Sequence, residues 1–508
     1  MTPRGGRATL RRLGKFGGDI RANMARKIEG RRTFLKNSVA AVVAATVPAQ
    51  AKAARNSGAA AQPSARPNII IYLADQWRWD FLGANRHNGS TRTPNLDAAA
   101  ARGRNFTHAV TNQPVCAPAR SVLMTSRYAT ETGVWHNGLP LSQTLPTLAG
   151  ELRKAGYTAN LIGKWHLAPA SVADGGGPGY VKPEYRGGFL DFWEGANALE
   201  HTSHPYEGSI FDGDGNEIKY KDEYRVDFIT DRAERFLRQK HDKPFFLFIS
   251  QLEPHQQNDM QRPVGPNGSV ERYANSTVPE DLRELPGTWQ AQLPDYYGCC
   301  ESIDSSVGRV RRILEEENLA ANTIFLFISD HGCHFMTRNT EYKRSTHNSS
   351  IRIPLIIEGP GFGPGEPISE LVGIIDIAPT LLDAVGVAAP AGMKGRSIIP
   401  LLKDPQARKT WPNQQFIQIS ESMTGRAIRT PDWTYCVADI SGSTQAPAAA
   451  TYHEHQMYDQ RADPNELVNL AGRQEYRAKA DELRGALTKL FAAAGEPVPE
   501  IVPAKLYP

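Results

Sequence analysis

The chain has 508 residues, 22% charged and 40% hydrophobic, with a formal net charge of +4. The first 51 residues hold 11 Lys and Arg against 2 Asp and Glu, a surplus of +9 that leaves the remainder acidic at about −5. That balance excludes a basic nucleic-acid-binding domain, and no basic amphipathic stretch marks a membrane-surface protein.

At the N-terminus, Gly30-Arg31-Arg32-Thr33-Phe34-Leu35-Lys36 precedes an apolar run from Val39 to Val47 and the small-x-small triplet Ala49-Gln50-Ala51. This is the order of a twin-arginine signal peptide over residues 1–51. The run is shorter than the ~20 residues of a spanning helix, so no stable membrane span is expected. Met24 is the expected start of translation, with Met1 the alternative and residues 1–23 an extension. Export by the twin-arginine translocase would leave the mature protein periplasmic or secreted. That translocase carries folded proteins, so any modification of an unfolded chain must precede export. Residues 52–66 read as an Ala/Ser/Pro-rich linker. The rest is long enough for a large domain, 67–405, and a smaller one, 406–508, with a small antiparallel sheet and a helix.

After the linker, short apolar runs alternate with helix-like segments, the pattern of an α/β fold. Residues 68–74 end in Asp75-Gln76. Residues 158–162 lead to Lys164-Trp165-His166. Residues 244–250 run on to Glu253-Pro254-His255. Residues 323–329 end in Asp330-His331-Gly332, and residues 351–357 follow Lys343. Each run is rich in β-branched or aromatic residues and predicts a buried strand. Open α/β sheets bind ligands at the carboxyl ends of their strands, and four of these runs deliver polar groups there.

Between the first two runs lies Cys116-Ala117-Pro118-Ala119-Arg120. Pro118 suits the first turn of a helix. The thiol would stand just ahead of the helix, near its free N–H groups and positive dipole end, a place for an anion. A lone cysteine is more often a small buried thiol. The sparse, odd set Cys116, Cys299, Cys300, Cys333 and Cys436 is not a disulfide framework. Asp75, Gln76, Asp330 and His331 together offer two carboxylates, an amide oxygen and an imidazole, a set that can hold a divalent cation. Lys164, His166, His255 and Lys343 add cationic or proton-transferring groups. With a metal and a helix start, they describe a pocket for a tetrahedral oxyanion.

The blocks RPNIIIYLADQ, TPNLDAAAARGRNFTHAV, VCAPARSVLMTSRY, PTLAGELRKAGYTANLIGKWHL, IFLFISDHG, SIRIPLII and IIDIAPTLLDAVGV carry a family resemblance over nearly all of residues 66–480. The chain resembles the formylglycine-dependent type I sulfatases of the alkaline-phosphatase-like superfamily. The Cys-x-Pro-x-Arg element is the specific one. The resemblance implies a large mixed, mostly parallel sheet flanked by helices, with a smaller C-terminal α+β subdomain. It implies that a formylglycine-generating or sulfatase-maturing enzyme oxidises Cys116 to Cα-formylglycine, whose hydrate is the nucleophile. Asp75, Gln76, Asp330 and His331 would hold the metal with the hydrate oxygen of residue 116. Arg120 and Lys164 would orient the hydrate, and His166 would take the proton of its second hydroxyl. His255 and Lys343 would bind the sulfate and help the leaving oxygen depart. The chemistry is coherent: one hydroxyl of a geminal diol attacks sulfur, and deprotonating the other expels sulfate. Gln76 and His331 stand where many relatives have Asp and Asn. The family implies Ca²⁺, and the imidazole admits Mn²⁺ or another divalent metal. Ser126 replaces the family's usual Gly.

Specificity is expected in the polar loops at the strand ends, 255–294 and 332–343. There His334, Arg338 and Asn339, with His347 just beyond, could read sugar hydroxyls or a neighbouring carboxylate or sulfate. Trp77 and Trp79 divide between core and a sugar platform, with core expected for at least one. Arg426 and Arg429 read as surface strand charges, the alternative being a substrate-facing role. The expected substrate is a sulfated polysaccharide or oligosaccharide. The alternatives are a phosphonate monoester or phosphodiester hydrolase of the same superfamily and a non-catalytic glycan-binding relative.

Overall fold

A run of eight residues polar only at its two ends is buried on both faces only if a sheet lies between two layers. Asn68–Asp75 meets that condition in the computed structural model, which describes residues 66–173 and 175–508. The expected signal peptide, start site and nearly all of the linker lie outside the described residues. In chain order, the elements that position the site are β1 (Asn68–Asp75), α1 (Cys116–Thr125), β2 (Thr158–Lys164), β3 (Phe192–Ala196), β4 (Phe245–Pro254), α2 (Trp289–Glu316), β5 (Thr323–Ser329) and β6 (Leu355–Glu358).

The ten-stranded sheet has the order Arg104–Asn105, β6, β5, β1, β4, β2, β3, Glu207–Asp212, Ser203–His204, with Glu217–Lys221 paired to Glu207–Asp212. The five strands from β5 to β3 are parallel, and β6 is antiparallel to β5. Side chains alternate across β1. Ile69, Ile71 and Leu73 join the cluster containing Val122 and Leu123 of α1, and Ile70 and Tyr72 join the one containing Tyr296, Ile303 and Val307 of α2. The large mixed sheet flanked by helices is thus the fold expected from the sequence.

Some boundaries differ. The run 351–357 is not one strand. Arg352–Ile353 pairs with Ala109–Val110 in a separate three-stranded sheet, and only Leu355–Glu358 joins the main one. Pro354 stands between them and has no N–H to give a ladder. The cysteine expected just ahead of α1 is its first residue.

The C-terminal region forms a second sheet of β7 (Gln415–Ile419), β8 (Gly425–Arg429), β9 (Trp433–Ala438), β10 (Thr451–Asp459) and β11 (Glu500–Val502), in that order. Its first four strands are antiparallel, and β11 adds in parallel to β10. Helix α3 (Arg477–Ala494) presents Leu483, Leu487 and Phe491, spaced one turn apart, to Phe416, Tyr435 and Tyr452. Each such side chain contributes roughly 1.5–3 kcal/mol by burial. The helix stops at Gly495, whose φ of 81° suits a left-handed cap. The junction expected at 405/406 is a packed seam: Val110, Ile351 and Leu371 share one cluster with Ile417, Ile419 and Ala427. Among the described residues, no helix is long and apolar enough to cross a membrane.

Candidate active site

Four strand ends and one helix start converge. Asp75 closes β1, and Gln76 turns the chain with a φ of 70°. The Gln76 N–H donates to Asp330 Oδ1 at 3.1 Å, and Trp77 N–H donates to Ser329 Oγ at 2.8 Å, which locks the ends of β1 and β5 together. Lys164 ends β2, and its Nζ bridges Asp75 Oδ2 at 2.8 Å and Glu200 Oε1 at 3.0 Å. Arg120, one turn into α1, donates to Asp75 Oδ2 (3.1 Å), Asp330 Oδ2 (3.2 Å), Ser250 Oγ (2.8 Å) and the Lys164 carbonyl (3.0 Å). One guanidinium therefore ties four strands to the helix that carries Cys116.

Cys116 is buried at the centre. Its Sγ lies 2.7 Å from Lys343 Nζ, 3.3 Å from His331 Nε2 and 3.5 Å from Asp75 Oδ1. Burial alone would raise the thiol, but Lys343, Lys164 and His331 outweigh it and hold it well below its ordinary range. The helix start itself offers an anion little. The Ala117 N–H is taken by Asn137 Oδ1 at 3.0 Å, Pro118 has none, and the Ala119 N–H bonds the Val115 carbonyl. The anion site read into the helix dipole is instead built of side chains.

The residues fit a divalent cation. Ligand atoms of Asp75, Cys116, Asp330 and His331 lie within 4.8 Å of one another, all buried. Gln76 Oε1 is buried with no hydrogen-bond partner, while its Nε2 is held by Cys333 Sγ at 3.4 Å. His331 Nδ1 bonds the Gly332 carbonyl at 2.9 Å, so a neutral ring turns the Nε2 lone pair inward, the tautomer a metal ligand needs. Burial and the neighbouring Asp75 push Asp330 above its ordinary range. A cation between the carboxylates relieves that repulsion.

His255 is fixed by the Gln256 carbonyl at 2.6 Å and sets its Nε2 3.4 Å from Lys343 Nζ. His166 has a φ of 67°, keeps a buried Nδ1 without a partner, and helps to lower the Cys116 thiol. The fold thus gathers Cys116, Arg120, Lys164, His166, His255 and Lys343 around the Asp75, Gln76, Asp330 and His331 cluster.

The expected substrate readers are placed differently. His334 is fully buried and bonds the Lys343 carbonyl at 2.9 Å, so it shapes the lysine loop and reads no sugar. Asn339 also caps that loop, at the Lys343 and Arg344 carbonyls. His347 is buried against Tyr458 at 3.0 Å. Arg338 donates to the backbone carbonyls of Asn465 and Glu466. Arg338, Asn339 and His347 do border a cavity of about 370 Å³ with Arg344 and His455. Arg426 and Arg429 are buried, contrary to the surface reading, because β8 is a central strand. Trp77 is core, and Trp79 is partly exposed. Sequence reasoning missed Glu200, Ser250 and Asn137. Glu200 lies four residues past β3, a five-residue run that Glu194 and Gly195 interrupt, so it does not read as a strand of this sheet.

Comparison with known proteins agrees with this geometry. The family model described as Sulfatase matches residues 67–387, and one described as N-sulphoglucosamine sulphohydrolase, C-terminal, matches residues 340–493. An ulvan-active sulfatase of Formosa agariphila is 31% identical over 451 residues, covering 85% of this chain and 82% of that protein. An arylsulfatase of Clostridium perfringens is 27% identical over 481 residues, covering 84% and 94%. A solved protein of Bacteroides thetaiotaomicron glycosaminoglycan metabolism has a TM-score of 0.73 at 22% identity, covers 85% of this chain and 97% of that one, and shares the fold. The chain belongs to the sulfatase family and is a sulfuric ester hydrolase.

Proposed function

We propose that the protein removes sulfate from a sulfated polysaccharide or oligosaccharide, using the hydrate of a Cα-formylglycine made from Cys116. The observation that carries this reading is the burial of residue 116 among Lys343, His331 and Asp75. A side chain there meets the metal cluster and the cationic sulfate pocket at once. The ulvan-active relative supports a carbohydrate substrate. A maturing enzyme would act in the cytoplasm, before twin-arginine export to the periplasm or beyond.

Asp75, Gln76, Asp330 and His331 would hold the cation, Ca²⁺ by family and Mn²⁺ or another divalent metal by ligand chemistry, which withdraws charge from the sulfuryl oxygens when bound. Arg120 and Lys164 fix the carboxylates that face it. His166 takes a proton from the second hydroxyl at residue 116. Lys343 and His255 bind sulfate oxygens and assist the leaving oxygen.

Intact mass of the peptide spanning Cys116 tests the modification: an active protein is expected to be lighter by about 18 Da, thiol exchanged for aldehyde. An unmodified thiol in active protein overturns it. Sulfate release from a panel of algal and animal glycans tests the substrate, and activity confined to small aryl esters overturns that part. Faster turnover of aryl phosphonate than aryl sulfate would favour the phosphonate hydrolase alternative. Metal analysis ranks the cation, and a stoichiometric transition metal displaces Ca²⁺.

A further inference from the structure

His255 Nδ1 faces the Gln256 carbonyl at 2.6 Å, and a carbonyl only accepts, so Nδ1 carries a proton and Nε2 is the nitrogen turned to the site. Among the described residues, two side chains reach that Nε2. Lys343 Nζ and the Tyr342 hydroxyl each lie 3.4 Å from it. Lys343 already has a task in sulfate binding, and Tyr342 has none.

Tyr342 is half-buried but firmly placed. Its carbonyl accepts from the His334 N–H at 2.8 Å, and His334 and Asn339 fix the next carbonyl, that of Lys343. Its ring packs on the cluster that contains Tyr296 and Phe335. The same ring meets His255 at 5.7 Å between centroids and 88° between planes, and the Lys343 ammonium lies 5.1 Å from its centroid. Burial pushes the hydroxyl up to about 12, so it stays a neutral donor. Among the described residues that hydroxyl has no partner besides Nε2, and 3.4 Å is long for a hydroxyl bond. Its proton can turn to a better acceptor at little cost.

We propose that Tyr342 is a further catalytic residue, donating a hydrogen bond to the leaving oxygen beside His255 and Lys343. Two donors 3.4 Å apart can both reach one oxygen at about 2.8 Å from each. As the hydroxyl at residue 116 bonds to sulfur, the bond from sulfur to the leaving oxygen breaks, and that oxygen keeps the electron pair. The proton on His255 Nε2 passes to it and leaves the imidazole neutral. Tyr342 keeps its own proton and stabilises the developing charge through the hydrogen bond. This role rests on the reading of His255 as the group that assists the same oxygen, and the two can fail separately.

Tyr342→Phe keeps the ring, its packing and its face toward the ammonium, and removes only the hydroxyl. kcat/KM is measured with substituted phenyl sulfates from 4-nitrophenyl to 4-methoxyphenyl, in order of rising leaving-oxygen basicity. The weakly basic 4-nitrophenolate needs little help, so a loss of about two- to threefold is expected there. For 4-methoxyphenyl sulfate the loss should grow to roughly tenfold or more, the worth of one hydrogen bond to developing charge. Equal losses across the series, or none, overturn the role. Should Tyr342→Phe fail to fold, Tyr342→3-fluorotyrosine keeps the hydroxyl and makes it a stronger donor. The series should then flatten relative to the parent, and an unchanged slope overturns the role. His255→Gln on the same esters separates the two readings. Losses that steepen with basicity in both variants support both. A steep response for His255→Gln with a flat one for Tyr342→Phe overturns Tyr342 alone, and the reverse keeps Tyr342 and overturns the reading of His255. Flat responses in both overturn both.

Discussion

The strand-end edge of the large sheet and the C-terminal five-stranded sheet both bury charge, and they do so differently. In the C-terminal sheet Arg426 meets Glu496 at 2.8 Å, and Glu454 is held by Arg477 and Tyr435. Both carboxylates are closed off within the protein, Glu496 also accepting from Thr130 and Gln418 and Glu454 from the Ala504 N–H. At the strand ends Lys164 and Arg120 also grip carboxylates, yet Gln76 Oε1, His166 Nδ1 and Glu200 Oε2 remain buried and unanswered. Satisfied buried charge builds the fold. Unsatisfied polar atoms pointed at one cluster mark the place where a metal and substrate complete the set.

The comparison breaks most sharply at residue 116. Cys116→Ser is expected to lower turnover of an aryl sulfate roughly a thousandfold or more, since it removes the group proposed to act covalently. Its unfolding midpoint should stay near that of the parent, because serine fills nearly the same buried volume. A large loss of stability with little loss of turnover would make Cys116 a packing residue.

Arg426→Met is the converse. Removing one partner leaves Glu496 buried and unpaired, at a cost of about 3–5 kcal/mol. Urea denaturation should show that loss while the folded fraction retains the parental kcat. A fall in kcat at unchanged stability would move Arg426 into the site.

Glu200→Gln lies between these extremes. Lys164 would keep Asp75 but lose its second carboxylate, and residues that hold a metal ligand's partner typically carry 10–100-fold, so a drop of roughly that size in kcat is expected. Steady-state kinetics checks it, and unaltered kcat would make Glu200 a purely structural counter-ion.

The strands were legible because runs such as Ile69-Ile70-Ile71 have no polar face, and a strand buried on both sides is the economical way to place them. The site was legible wherever a chemically specific group ended such a run, as at Asp75, Lys164 and Asp330. Glu200 was not, because its place beside Lys164 depends on β3 pairing with β2, a long-range contact that leaves no local pattern. His334 misled for the same reason in reverse. It sits in a polar loop, but the loop folds inward over the Lys343 backbone. Arg429 looked like a surface charge because a strand's alternation does not reveal that helix α3 and the catalytic domain cover both faces of its sheet.

The smallest expected effect tests whether burial, and not ion-pair geometry, separates these classes. Arg461 meets Asp432 side-on through Nε and Nη2, a fuller fork than the Nε contact of Arg426 with Glu496, but its side chain is 79% exposed. Water solvates both partners when the pair opens, and holding two long side chains together costs rotamer freedom, so Arg461→Ala should change stability by no more than about 0.5 kcal/mol. Urea denaturation of Arg461→Ala beside Arg426→Met measures the two on one scale. A loss at Arg461 approaching that at Arg426 would mean that bidentate geometry stabilises wherever it occurs.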